Sequence, residues 1–229
     1  MKTVIQTSKL YKTFGKGELA VHAVNDVNLE IKEGEFTALV GPSGSGKTTL
    51  LNMIGGLDEP SSGEVKVNGI DITGLDKGQL TDFRLNNIGF VFQAYNLIPV
   101  LSAYENAEFI MLLQGVDDKL RKERVYTLLD EVGLKGKEDR RPGQLSGGQQ
   151  QRVAVVRALA AKPSFILADE PTANLDSKST SDLLDLMYEL NQAENMTFVF
   201  ATHDQRVIDR AKRVITLEDG KIIHDEVRA

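Results

Sequence analysis

The sequence predicts an α/β fold: a mostly parallel sheet flanked by helices, with an N-terminal antiparallel β part and a helical sub-lobe. Short apolar runs typical of buried strands alternate with stretches of helical periodicity. Strand signals thin out after Phe92 and return near Phe165, so we expect the sub-lobe at about residues 94–160. With 229 residues, the chain is expected to form one domain, 1–229, that contains this lobe.

The elements before the sub-lobe follow from local patterns. Apolar and polar residues roughly alternate over Ala20–Ile31, which predicts a half-exposed strand. Phe36–Val40 is a short apolar run and predicts a buried strand, after which a helix begins near Lys47. Glu64–Val67 and Ile88–Phe92 are expected to be further strands.

Helical patterns dominate the sub-lobe, and strand–helix alternation resumes after it. The predicted elements are a helix over Leu120–Val132, a strand over Phe165–Ala168, an amphipathic helix over Thr180–Leu190, a strand over Phe198–Ala201, and a hairpin of Val214–Leu217 and Lys221–His224. Asp219-Gly220 between the last two is a good two-residue hairpin turn.

Composition and charge narrow the functional classes. The formal net charge is −6, and a nucleic-acid binder needs a basic face, so no nucleic-acid partner is expected. No run approaches the roughly 18 apolar residues of a membrane span, and the N-terminus lacks the apolar core of a signal peptide. There are no cysteines, which fits a reducing compartment. We therefore expect a cytoplasmic protein.

Gly41–Thr48 reads GPSGSGKT and matches the phosphate-binding loop G-x-x-x-x-G-K-[ST]. A predicted buried strand precedes it and a predicted helix follows, as in P-loop NTPases. The glycines allow successive backbone N–H groups to face a phosphate, and the helix adds its positive N-terminal end. Lys47 is expected to reach the β- and γ-phosphates and the Thr48 hydroxyl to coordinate Mg²⁺.

An acidic pair ends the apolar run Phe165–Glu170, which reads FILADE. Asp169 at the strand tip suits a Mg²⁺ ligand, directly or through water. Glu170 points elsewhere and suits a base that deprotonates an attacking water. Acidic residues also end strands and cap helices for ordinary structural reasons, so the pair gains its functional meaning from the phosphate loop in the same chain.

The segment LSGGQQQR, Leu145–Arg152, is an unusual helix start. Ser146 and Gln149 fit a capping box. Gly147 and Gly148 nevertheless occupy the first turn, where each glycine costs about 1 kcal/mol relative to alanine. We interpret the glycines as exposing backbone N–H groups to an anion.

Four single residues are candidates with an ordinary alternative. His203 follows a predicted strand and could donate to a γ-phosphate, or it could simply occupy a turn capped by Asp204. Gln93 ends a strand and could contact Mg²⁺ or water, or be a surface glutamine. Asp176 is adequately explained as a helix cap. Tyr11, on an expected exposed N-terminal segment, could stack on a base or pack on its own strand.

Together these residues resemble the nucleotide-binding subunit of an ABC transporter over nearly the whole chain. GPSGSGKT resembles the Walker A motif, FILADE the Walker B motif and LSGGQQQR the signature motif, while Gln93, Asp176, His203 and Tyr11 match the Q-loop, D-loop, switch histidine and A-loop aromatic. FVFQAYNLIPVLSAYEN and ADEPTANLD are similar to the group of lipoprotein-release, macrolide-export and peptide-resistance ATPases.

The resemblance implies ATP and Mg²⁺ as cofactors and gives each residue a role. Catalytic roles are implied for Glu170 as general base and for His203 and Lys47 at the γ-phosphate. ATP binding is implied for Tyr11, Gly41, Pro42, Ser43, Gly44, Ser45, Gly46, Lys47, Thr48, Thr49 and Gln93, and Mg²⁺ binding for Thr48, Gln93 and Asp169.

The resemblance also implies a second copy of the chain, paired head to tail. Ser146, Gly147, Gly148 and Gln149 would then meet an ATP held by the partner, with Asp176 at the dimer interface. A separate transmembrane permease is implied as well, which would place the protein on the cytoplasmic face of the membrane. Tyr95–Pro99 is our candidate for part of the permease-docking surface, although Leu97 and Ile98 could instead be lobe core.

Three functions remain to be compared. The first is an ATPase that drives a separate transmembrane protein. The second is a soluble ABC ATPase acting on nucleic acid or ribosomes, against which stand the acidic charge and the lack of a second cassette. The third is a regulatory module that binds ATP without hydrolysing it, against which Glu170 and His203 stand.

Overall fold

A computed structural model describes residues 2–228, apart from the side chain of Glu18. The strands are β1 Thr3–Phe14, β2 Val21–Lys32, β3 Phe36–Val40, β4 Ser62–Val67, β5 Ile70–Asp71, β6 Ile88–Phe92, β7 Phe165–Asp169, β8 Thr197–Ala201, β9 Arg213–Glu218 and β10 Lys221–Val227. The helices are α1 Lys47–Ile54, α2 Lys77–Asn87, α3 Ala103–Leu113, α4 Asp118–Glu131, α5 Gly147–Ala160, α6 Ser177–Glu194 and α7 Gln205–Arg210.

Two sheets form the framework, as the sequence predicts. A six-stranded sheet has the order β10-β9-β3-β8-β7-β6, in which only the β10–β9 pair is antiparallel. A four-stranded antiparallel sheet has the order β2-β1-β4-β5. The parallel strands β6, β7, β8 and β3 all end at one edge of the large sheet, and this edge carries the site.

The pleat of β8 separates two apolar cores. Phe198 and Phe200 lie on one face of the sheet with Phe36, with ring centroids 4.7–5.8 Å apart. Val199 and Ala201 lie on the other face, against α1 and the antiparallel sheet. Successive strand residues point to opposite faces, so one short apolar run supplies both cores.

The helical segment after β6 shares its core with the large sheet. Val125 and Leu128 of α4 and Val153 of α5 belong to the same buried cluster as Phe36 and Phe198. Helix α5 packs against α3 and α4 and also against β6. As predicted, the regular elements between β6 and β7 are helices, with one short 3-10 turn at Pro142–Gln144. That residues 94–160 form a sub-lobe of their own stays a prediction.

The predicted strands and helices agree with the structure to within a few residues at their ends. The hairpin turn has Asp219 and Gly220 at φ 47° and 74°, the left-handed pair that a two-residue turn requires. Strand β1 and helix α2 were not predicted as elements. In residues 2–228, no helix is both long and apolar enough to cross a bilayer.

One expectation is wrong. Tyr11 was expected on an exposed N-terminal segment, but the segment is the strand β1, which pairs with β2 on one side and β4 on the other. Tyr11 itself is half-buried, opposite Ser62 of β4. The sequence does not predict this strand because its alternation of apolar and polar residues is weak. Pairing with β2 and β4 stabilises the strand, and local sequence spacing does not reveal such pairing.

Candidate nucleotide site

The phosphate loop Gly41–Thr48 connects β3 to α1, and its shape depends on glycine at two positions. Gly41 and Gly46 have φ of 145° and 101°. A Cβ atom at Gly41 would clash with the carbonyl of Leu217, and one at Gly46 with the carbonyl of Ala23. Neither position therefore accepts a side chain, for reasons of conformation and of space.

Lys47 curls over this loop. Its ammonium donates to the carbonyls of Gly41 and Pro42, at 2.8 and 2.9 Å. Among the described residues, no carboxylate pairs with it. Beside it, the buried Ser45 hydroxyl has no hydrogen-bond partner within residues 2–228. An ammonium bonded to carbonyls alone and an unsatisfied buried hydroxyl in one loop suit an anion with several oxygen atoms.

Thr48 and Asp169 form an oxygen pair at the end of β7. The Thr48 hydroxyl donates to Asp169 Oδ1 at 3.0 Å. Burial raises the pKa of Asp169, and the hydrogen bond from Thr48 partly offsets that rise. Neighbouring ligands of an octahedral Mg²⁺ at about 2.1 Å lie about 3.0 Å apart, so the pair fits that ion.

Glu170 is held firmly beside His203. Its Oε1 lies 2.7 Å from His203 Nδ1, and its Oε2 accepts from the Thr202 hydroxyl at 3.1 Å. The backbone of Glu170 has φ 45°, unusual for a residue with a side chain, and its N–H donates to the carbonyl of Ala201. The side chain of Glu170 is 17% exposed and that of His203 76%. The carboxylate is thus fixed while the imidazole faces outward.

Gln93 follows β6 at the same sheet edge and its residue is exposed. Its carbonyl accepts from Asn174 Nδ2 at 2.9 Å, which joins the segment after β6 to the segment before α6. Parallel strand ends therefore bring the phosphate loop, Asp169, Glu170, His203 and Gln93 together, as expected for ligand sites in open α/β sheets.

The signature segment has contacts within its own helix start and with Tyr95 and Ser179. Ser146 caps α5: its hydroxyl accepts from the backbone N–H of Gln149 at 3.3 Å. The backbone N–H of Ser146 in turn donates to Gln149 Oε1 at 3.1 Å. A Cβ atom at Gly147 would lie 2.9 Å from Tyr95 Oη, and one at Gly148 would lie 3.0 Å from the Ser179 hydroxyl. A side chain at either position would therefore require Tyr95 or Ser179 to shift, a packing reason for glycine that the sequence does not show.

Asp176 is a helix cap in the structure. Its carboxylate accepts from the amide and the hydroxyl of Ser179 at 2.9 and 2.8 Å. These hydrogen bonds, the backbone one foremost, lower the pKa of Asp176. The capping explanation is confirmed, and an additional role at a dimer interface stays a prediction.

The sequence missed two groups at this edge. The first is Thr202, whose place before His203 in the sequence gives no sign of its hydrogen bond to Glu170. Arg157 of α5 donates to the carbonyls of Tyr95 and Asn96, at 2.9 and 2.6 Å, and both of those residues have left-handed backbones. Nothing in local spacing signals either contact, because the partners lie tens of residues apart.

The fold and the site define a P-loop nucleoside triphosphatase. The sequence model of the ABC transporter family matches residues 24–173. The chain is 43% identical to the lipoprotein-releasing system ATP-binding protein LolD of Legionella pneumophila (strain Lens), over 97% of this chain and 98% of that one. It is 47% identical to the macrolide export ATP-binding/permease protein MacB of Hyphomonas neptunium, over 97% of this chain and 34% of that protein.

A solved structure agrees with these relatives. The dimeric post-hydrolysis state of the ATP-binding cassette MJ0796 of Methanocaldococcus jannaschii, bound to ADP and Pi, superposes with a TM-score of 0.90 at 43% identity, covering 98% of this chain and 99% of that chain. The chain therefore belongs to the ABC transporter family. It is an ATP-binding subunit with ATPase activity, similar to the lipoprotein-release and macrolide-export members.

Proposed function

We propose that this subunit powers a separate transmembrane permease through ATP-dependent dimerisation and Mg²⁺-dependent hydrolysis of the γ-phosphate. The observation that carries the proposal is the convergence of Lys47, the Thr48–Asp169 pair and the Glu170–His203 pair at one sheet edge. Each supplies a different requirement of phosphoryl transfer: phosphate binding, a metal site and a base.

In the proposed reaction, Glu170 accepts a proton from water as the water oxygen attacks the γ-phosphorus. The bond from that phosphorus to the β–γ bridging oxygen breaks, and ADP and inorganic phosphate leave. Lys47 and His203 donate to the γ-phosphate oxygens, where negative charge is redistributed. Bound Mg²⁺, held by Thr48 and Asp169 with Gln93 nearby, would neutralise phosphate charge.

Backbone N–H groups of the phosphate loop and of the start of α1 would bind the phosphates of ATP, namely those of Ser43, Gly44, Ser45 and Thr49 together with the glycines already described. Pro42, which has no backbone N–H, would line the same site as part of the loop. Tyr11 is proposed to stack on adenine, since it is half-buried on a paired strand and so has a fixed position.

We propose that Ser146–Gln149 completes the site of a second copy. The hydrogen bonds and close neighbours found for this segment in its own chain do not include the phosphate loop. The MJ0796 relative is dimeric with ADP and Pi, which supports the pairing. The test is the Ser146→Arg variant, examined by size-exclusion chromatography with Mg-ATP. Loss of ATP binding by the monomer would mean that the segment acts within one chain.

The proposed permease contact is an apolar groove of about 460 Å³ that reaches Tyr95–Pro99. Its lining includes Phe90, Phe92, Ile98 and Phe109. A separate permease would place the subunit on the cytoplasmic face of the membrane. Ile98→Asp should release the chain from the membrane fraction. Ile223→Asp should not, because Ile223 is an exposed residue of β10, the outer strand on the side of the large sheet opposite β6. Retention of the Ile98 variant would contradict this contact.

A further inference from the structure

The carboxylate of Glu170 has a second partner besides His203. Its Oε2 accepts a hydrogen bond from Thr202 Oγ1 at 3.1 Å. Thr202 is fully buried, with a relative exposure of 0%, so it cannot itself contact a nucleotide in the open site. Any influence of Thr202 on hydrolysis must act through the residue it holds.

The direction of this hydrogen bond is fixed by the backbone. The amide N–H of Asp204 donates to Thr202 Oγ1 at 3.0 Å. A hydroxyl carries one hydrogen, and an ionised carboxylate can only accept. With an incoming donor on one side, the Thr202 hydrogen points to Glu170, so the threonine is a directed donor.

Asp204 is itself anchored, which holds the turn in place. Its carboxylate accepts from Arg206 Nε and Nη2 at 2.9 and 2.7 Å and from the Thr172 hydroxyl at 2.8 Å. These contacts, the Arg206 side chain foremost, lower the pKa of Asp204 to about 2. The hydrogen bonds run from Thr172 through Asp204 and Thr202 to Glu170, and the chain from 170 to 172 closes the ring.

We propose that Thr202 is a positioning residue for ATP hydrolysis, which orients the Glu170 carboxylate toward the attacking water. The terminal torsion of a glutamate is broad and roughly two-fold, so His203 alone, highly exposed, does not fix it. The buried threonine hydroxyl fixes Oε2 and leaves Oε1 directed at His203. This inference rests on the proposed role of Glu170 as general base.

The test compares Thr202→Val and Thr202→Ser with the control Thr197→Val. Thr197 is also fully buried, and its hydroxyl likewise accepts a backbone amide, that of Gly34, at 2.9 Å. Each valine variant loses the acceptor for a backbone N–H and has nearly the same shape as threonine. Of the two threonines, only Thr202 also donates to Glu170. Steady-state kcat and KM for Mg-ATP and the melting temperature are measured for each.

We expect Thr202→Val to lower kcat about tenfold to a hundredfold with KM for ATP unchanged, the range for a hydrogen bond to a charged group. Thr202→Ser should keep the parental kcat, and Thr197→Val should lose thermal stability only. Equal kcat in Thr202→Val and parent, or equal losses in the two valine variants, overturns the proposal. If Thr202→Val is insoluble, Thr172→Val should lower kcat several-fold at unchanged KM, and an unchanged kcat overturns it.

Glu170→Gln separates this inference from the proposed function. If Glu170→Gln hydrolyses ATP at the parental rate, the general-base role fails, whatever Thr202 does. If Glu170→Gln lowers the rate but leaves measurable hydrolysis, adding Thr202→Val should reduce that residual rate no further, because the threonine acts through the carboxylate. A further loss in the double variant would contradict the positioning role while leaving the general-base role intact.

Discussion

Short sequence motifs identify two regions, which differ in their surroundings: the residues at the carboxyl ends of the parallel strands, here called the strand-end cluster, and the signature segment. At the strand ends, Lys47, Asp169, Glu170 and His203 face one another across the edge of a parallel sheet. At the start of α5, Ser146–Gln149 contacts Tyr95 and Ser179 instead. The first region gathers most of the proposed catalytic groups, whereas the second has the polar groups of Ser146 and Gln149 bonded to each other. This difference fits the proposal that the second region completes the site of another copy.

The largest expected effect separates chemistry from binding in the first region. Glu170→Gln should lower kcat by about 10²- to 10⁴-fold, because a general base contributes that range. ATP binding should remain, and an ATP-bound dimer should accumulate. Single-turnover hydrolysis and chromatography with Mg-ATP measure both. Parental hydrolysis would remove Glu170 from the reaction.

Ser146→Arg tests the second region alone. The arginine should block the dimer and lower turnover by at least about 10²-fold, the cost of losing a transition-state contact. Equilibrium titration with a fluorescent ATP analogue should give the parental Kd for the monomer. Thr127→Arg, an exposed position on α4, is the control for added charge. If both variants dimerise normally, the segment has no role between chains.

Lys47→Ala should weaken ATP binding by about 10- to 100-fold, since hydrogen bonds to charged groups contribute about 1.5–3 kcal/mol. The folded loop should persist, because its glycines set its conformation. Isothermal titration calorimetry measures the affinity, with Lys66→Ala on β4 as a control lysine. An unchanged affinity would contradict the role of Lys47 in phosphate binding.

Gly148→Ala tests why the signature segment contains glycine. Alanine gains helix propensity of about 1 kcal/mol, yet its Cβ would lie 3.0 Å from the Ser179 hydroxyl. We expect a net loss of stability of about 1 kcal/mol, within the range for overpacking. Ser179→Gly removes the conflict but also the hydrogen bond to Asp176, so it serves as the background: there, Gly148→Ala should no longer lower the stability. Urea denaturation measures each variant, and a stable single variant would show that packing does not require the glycine.

The last prediction concerns the anchor below the site, whose contribution to stability disappears at low pH. The pKa of Asp204 is lowered to about 2 in the folded protein, and its side chain is 14% exposed. The carboxylate therefore stabilises the fold above the unfolded pKa near 4, and this contribution is lost as pH falls towards 2. Asp204→Asn should cost about 2 kcal/mol at pH 7 and progressively less below pH 4. Urea midpoints across pH 2–7 measure the difference, and a pH-independent difference would exclude the ionised anchor.

The sequence alone determined the α/β class, most strand and helix positions and the motif residues of the strand-end cluster. These depend on local properties: apolar runs that must be buried, glycines that allow left-handed turns, and residues placed where a strand ends. Parallel strands then bring their ends together by geometry, so Asp169, Glu170 and His203 were predictable without coordinates.

Only the tertiary structure decided what surrounds those residues. It pairs β1 inside a sheet, merges the helical segment into one core with Phe36, and packs Gly148 against Ser179. It also brings the Thr202 hydroxyl to Glu170, across 32 residues of sequence. Such contacts depend on which elements pack together over long separations, and no local pattern encodes that packing. The sequence therefore identified the residues that we propose to react, and the fold determined what contacts hold each of them.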